Sequence, residues 1–291
     1  MVRPAGRLEP FFAFGRAPSR MHTPGSTTER TRRRSFLEGA LVTFLLGLPG
    51  IVAVGASLLD ELRALPQFAD TPTPSLFFVG IAQPLVLLAL ACLVGTALAP
   101  RVKLHSHVLY RLVGRTQPPV LFAEELPGAV GVGVALAVTV LALDGALAVV
   151  APDLPSLGVA GGVHSTVFSV IATVPTRFLY GGITEELLVR YGFMTLVVWL
   201  VWKLVGGDRP SSGVMWTAVV VSALAFGAGH LPVLSTSPAF TPALGALAVS
   251  LNALVGVGLG WLYWQGSLES AMVGHVTFHV VVVLVSLGTV L

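Results

Sequence analysis

The sequence predicts an all-α fold, a polytopic bundle of about eight transmembrane helices. Two properties of the composition point there. Hydrophobic residues make up 54% of the 291 and charged residues only 11%, where a soluble domain carries about a quarter charged. Mean hydropathy is +0.85. The third observation is arrangement: the apolar residues fall in successive runs of about 20, the length a helix needs to cross the roughly 30 Å hydrocarbon layer. A soluble protein with a large core does not produce so many runs of that length.

Residues 1–35 come first. They hold Arg3, Arg7, Arg16, Arg20, Arg30, Arg32, Arg33 and Arg34 among Pro, Gly, Ser and Thr, and read as a basic, disordered cytoplasmic tail. Arginines just before an apolar span keep that end inside and touch anionic lipid, so the pI of about 9.4 implies membrane lipid and not nucleic acid as partner. The run after Arg34 is longer than a signal-peptide core, and no clear cleavage site follows. The first span is expected near 36–59. The 60–75 loop carries Asp60, Glu61 and Asp70 against Arg63, which suits the outer face. The second span, 76–99, contains Cys92, the single cysteine. Alone it forms no internal disulfide and reads as a small buried hydrophobe. Residues 101–127 form a loop with Arg101, Lys103, Arg111 and Arg115, Glu124 and Glu125, and Pro118-Pro119; its positive charge places it with the tail.

The third span is expected near 128–151. The next two, 163–181 and 183–205, meet at Gly181-Gly182, and glycine there allows either a break or one long kinked helix. Three more follow near 213–231, 241–264 and 268–290, with Trp261, Tyr263 and Trp264 as an interfacial belt. Residues 36–291 thus read as a single transmembrane domain without an internal repeat.

Ionisable side chains inside spans are costly and mark function by default. Here they are Asp144, Arg177, Glu185, Glu186, Arg190, His230, His275 and His279. Glu186 and Arg190, four apart in GGITEELLVRYGF, share a helix face and can pair. Glu185 is turned about 100° away and remains a candidate general base, since burial raises a carboxyl pKa while a nearby arginine lowers it. The rival reading is a buried structural ion-pair network. His230 ends FGAGH, and its small residues allow close helix approach. His275 and His279, four apart in HVTFH, lie on one face, a spacing that also suits a metal.

In order, Glu185-Glu186-x-x-x-Arg190, Phe226-x-x-x-His230 and His275-x-x-x-His279 resemble the CPBP intramembrane proteases, the group of CAAX prenyl endopeptidases and bacteriocin-processing or bacteriocin-immunity (Abi) proteins. GLGWLYWQGSLESAMVGH resembles the family's usual lead-in, so the likeness covers about 163–285. It implies intramembrane endoproteolysis of a membrane-associated peptide or protein. By that likeness Glu185 and His230 activate water, Glu186 and Arg190 hold Glu185, and His275 and residue 279 stabilise the oxyanion. The family usually has Asn or Asp where His279 stands. Neutral histidine still donates one hydrogen bond, and a third imidazole makes a divalent site, for example zinc on His230, His275 and His279, an open alternative. HExxH, GxGD and GxSxG are absent from the sequence. The rival functions are a non-catalytic scaffold or immunity protein of the same family, and an ion-coupled transporter, which the missing repeat disfavours. The expected location is the cell membrane, multi-pass, with a cytoplasmic N-terminus. Preference for arginine over lysine suggests a GC-rich prokaryotic source.

Overall fold

The computed structural model describes residues 25–114, 118–151, 166–235 and 240–291; the first part of the tail and His164 lie outside them. Among the described residues every regular element is helical, and seven helices are long and apolar enough to cross a membrane. The long helices are α1 (Gly25–Ser57) and α2 (Thr73–Leu98), then, after the short α3 (His107–Val113), α4 (Phe122–Val150). They continue with α5 (Val167–Val205), α6 (Ser212–Ala228), α7 (Pro242–Gln265) and α8 (Leu268–Val290).

One boundary differs from expectation. The apolar span of α1 begins at Arg34, near the expected 36, while the helix itself runs out to Gly25 because Glu29 and the arginines after it are good helix formers. The two spans expected at 163–181 and 183–205 are one helix, which makes the count seven. Thr176–Met194 within it is π-helical, and two threonines bond back five residues: Thr184 Oγ1 to the Leu179 carbonyl at 3.1 Å and Thr195 Oγ1 to that of Arg190 at 3.1 Å. Gly181 and Gly182 do not break the helix; they clear room for its neighbour. A Cβ on Gly182 would collide with Val276 of α8, and one on Gly181 would sit 2.7 Å from His279 Nε2.

Seven alternating spans put the α1 start, the α2–α4 connection and the α5–α6 turn at one face. Arg34, Arg101, Lys103, Arg111, Lys203 and Arg209 are exposed there. Two carboxylates clamp this face. Glu269, at the start of α8, accepts from Ser106 Oγ at 2.6 Å and from the His107 and Val108 amides at 2.9 and 3.0 Å, capping α3. Glu125 of α4 accepts from His107 Nε2 at 3.1 Å and from the Ser267 and Ser270 hydroxyls. In the adjacent interior Tyr191, Met194, Leu259 and Tyr263 are at most 1% exposed. Their hydroxyls are satisfied, Tyr191 with Thr96 at 2.8 Å and Tyr263 with Thr195 at 3.2 Å.

Glu125→Ala strands three donors, each costing about 1–3 kcal/mol when left unpaired. It is expected to lower the thermal midpoint of the detergent-purified protein by several degrees, while Glu124→Ala, on an exposed neighbour, leaves it unchanged. Thermal unfolding of the two variants checks this.

Candidate active site

The adjacent glutamates of α5 face different surroundings. Glu186 is fully buried and Glu185 is half-buried. Glu186 Oε1 accepts from Arg190 Nη1 at 3.0 Å and from His275 Nδ1 at 2.8 Å. Arg190, also fully buried, donates from Nη2 to the Gly256 carbonyl of α7 at 3.2 Å. Its guanidinium carbon lies 4.7 Å from the centroid of Phe226 on α6, within cation–π range. The Glu186–Arg190 pair thereby touches α6, α7 and α8 at once.

In front of this pair is a cavity of about 170 Å³. Glu185, His230, His275 and His279 all line it, so four of the six candidates from the sequence converge on one space. Glu186 and Arg190 stand behind it. Phe226 packs edge-on against the rings of His230 and His275, with centroids 5.0 and 5.9 Å away, and sets both imidazoles.

The hydrogen bonds assign the ring nitrogens. His230 Nδ1 lies 2.9 Å from the Phe226 carbonyl. A carbonyl only accepts, so Nδ1 carries the proton and Nε2 of the neutral ring keeps a lone pair. His275 Nδ1 likewise donates to the Glu186 carboxylate, an arrangement that fixes ring orientation. His279 is stacked on His275, with centroids 4.8 Å apart and planes 21° apart. Its Nδ1 has no partner among the described residues.

The stack argues against the three-histidine metal arrangement. Metal ligation uses lone pairs in the ring planes that converge on one point about 2 Å away, and nearly parallel rings do not converge. Among the described residues no group of three or more His, Cys, Asp or Glu has a geometry that holds a metal ion. The side chains as arranged do not fit a zinc site.

The cavity also brings in residues that spacing did not single out as a site. Asn252 of α7 lines it; a lone amide in an apolar span is the signal that could have found it. Arg177 lines it too, with Nε donating to Thr173 Oγ1 at 3.0 Å. The sequence marks it only as an intramembrane cation without a visible partner, and no ion pair involves it among the described residues. Asp144 is buried in α4 and does not line this cavity.

Comparison with known proteins agrees with the motif order. Residues 166–281 match the family model of Rce1-like type II CAAX prenyl endopeptidases, which supports intramembrane protease activity in general. No curated protein and no solved structure matches the chain.

Two stability tests follow from the geometry. Glu186→Ala leaves a buried guanidinium without its carboxylate and is expected to cost about 3–5 kcal/mol, whereas Glu185→Ala, facing the cavity, leaves the thermal midpoint near that of the parent. Gly181→Ala drives a methyl group into the His279 ring, which the stack on His275 keeps from swinging aside. A lowered midpoint is expected for Gly181→Ala alone, and recovery when His279→Asn is added in the same chain.

Proposed function

We propose that the chain, whose residues 166–281 carry the Rce1-like CAAX endopeptidase match, hydrolyses a peptide bond of a membrane-associated substrate with water that Glu185 and His230 activate. The observation that carries this reading is the lining of one cavity by Glu185, His230, His275 and His279. Glu185 is the general base and takes a proton from water as its oxygen attacks the scissile carbonyl. His230 orients that water through the Nε2 lone pair left by its bond to the Phe226 carbonyl. The carbonyl oxygen gains negative charge, and His275, held by Glu186, donates to it from Nε2; a donor already in place costs no reorganisation as the charge develops. His279 lies beside it as a second donor. Collapse of the tetrahedral intermediate breaks the C–N bond, and Glu185 returns its proton to the leaving amine. Glu186 and Arg190 are positioning residues. They hold His275 and the face of α5 from which Glu185 projects.

The reading extends to organisation. Residues 1–35 are a cytoplasmic tail, 36–291 one transmembrane domain in the cell membrane, and bilayer lipid surrounds the seven spans. Exposed basic residues at the face shared by the α1 start and the α2–α4 connection support a cytoplasmic N-terminus, because basic loops are retained inside.

The test is hydrolysis of a fluorogenic peptide carrying a farnesylated cysteine near its C-terminus, by purified protein in nanodiscs. Glu185→Gln is expected to lower turnover by about 10²–10⁴-fold, the contribution of a general base, with an unchanged thermal midpoint. His230→Asn is expected to act in the same direction. Equal turnover in parent and Glu185→Gln would exclude the mechanism. Full cellular function in Glu185→Gln and His230→Asn cells would favour the non-catalytic scaffold instead.

A further inference from the structure

Apart from the histidines, two residues of the cavity wall are ionisable near neutral pH as acid or base: Glu185 and Arg177. The proposed hydrolysis employs Glu185 and leaves Arg177 without a task. A guanidinium in an apolar span is costly and is ordinarily held by a counter-charge. Arg190, in the same helix, shows the ordinary case: its partner Glu186 lies 3.0 Å away. Arg177 has no such carboxylate among the described residues. Glu185 shares its cavity but forms no ion pair with it, and Glu186 is taken by Arg190 and His275.

The half-buried guanidinium is nevertheless oriented. Thr173 Oγ1 gives its own proton to the Val170 carbonyl at 2.8 Å, and a lone pair of the same oxygen accepts from Arg177 Nε at 3.0 Å. A guanidinium carries five N–H donors in a rigid fork. This anchor uses the one on Nε and turns the group about a fixed point. No hydrogen bond among the described residues occupies Nη1 or Nη2. Those two nitrogens form the edge that a carboxylate meets with two parallel hydrogen bonds.

We propose that Arg177 is a specificity-determining residue, and that its two Nη groups bind a carboxylate of the substrate peptide. The C-terminal α-carboxylate and the side chain of Asp or Glu present the same pair of oxygens, so either source satisfies the site. The inference rests on the proposed hydrolysis at Glu185 and adds the chemical group by which the peptide is chosen. Position limits where that group sits. Arg177 precedes Glu185 by eight residues of one helix, about 12 Å at 1.5 Å per residue, and an extended peptide covers up to about 3.5 Å per residue. The carboxylate held at Arg177 therefore lies only a few residues from the bond that is cut.

Three versions of the farnesylated fluorogenic peptide test this with the full chain in nanodiscs, the fluorophore and quencher being attached through side chains. One ends in a free carboxylate, one in an amide, and one in an amide with glutamate as its last residue. The parent is expected to favour the free acid over the plain amide by at least tenfold in kcat/KM. The difference is expected in KM, as for a contact made equally in the ground and transition states. In Arg177→Gln the ratio falls to about one. Arg177→Lys, which keeps the charge and loses the fork, holds an intermediate ratio. A glutamate peptide that matches the free acid assigns the site to any carboxylate, and one that matches the plain amide assigns it to the α-carboxylate. Equal kcat/KM for all three peptides in the parent overturns the inference, as does a preference that survives Arg177→Gln. Binding separates this outcome from that of the proposed hydrolysis. Fluorescence anisotropy with Glu185→Gln protein is expected to show the free acid bound at least tenfold tighter than the amide, and the added Arg177→Gln substitution is expected to abolish the difference. A parent that cleaves no peptide counts against hydrolysis alone, whereas equal binding of acid and amide counts against the carboxylate site.

Discussion

The buried contact of Glu186 with Arg190 and His275 is the constraint on which the arrangement depends. Two opposite charges with no exposed surface are tolerable in a bilayer only when paired and hydrogen-bonded. Here each spare valence reaches a different helix: Arg190 to the Gly256 carbonyl on α7 and to the Phe226 ring on α6, and Glu186 to His275 on α8. Helices in lipid lack the hydrophobic drive that packs soluble bundles, so polar contacts and close small-residue approaches fix their positions. This one pair supplies such polar contacts to three helices at once. Gly181 and Gly182 supply the close approach of α8.

The same pair explains how neighbouring glutamates acquire opposite duties. A helix turns each residue away from the next, so one of two adjacent carboxylates enters the packed interior while the other reaches the cavity. The buried one is held by charge and serves as a strut. The cavity one lines open space beside three imidazoles. The histidines divide likewise. His230 and His275 each spend Nδ1 on a fixed acceptor, which sets the orientation of both rings at the cavity wall.

Much of this was legible in the sequence because the physics is local. Four-residue spacing paired Glu186 with Arg190, and the cost of charge in hydrocarbon picked out His230, His275 and His279 as a group. What was not legible depends on geometry between helices. The pattern around Gly181-Gly182 could not say whether the chain breaks, because the deciding contacts come from Val276 and His279 nearly a hundred residues later. The merged span follows from that. The spacing of His275 and His279 admits a metal, yet the stacked rings leave no convergent set among the described residues. Asn252 was passed over because a single amide in an apolar run has no spacing partner to flag it. Helix α3 was read as loop because its capping group, Glu269, arrives from the start of α8.

The packed layer between the cavity and the face of the basic connections has a consequence for the membrane. Any enzyme that admits water deep into a bilayer thins the insulating layer there, and the electrical potential across the membrane then falls mainly over what remains. In this protein that remainder is the short plug of Tyr191, Met194, Leu259 and Tyr263, whose hydroxyls are turned into bonds with Thr96 and Thr195. The packing beneath the cavity is therefore also a seal between the cavity and the face of the basic connections. A substitution that wets the plug would carry its cost in proton leakage across the bundle.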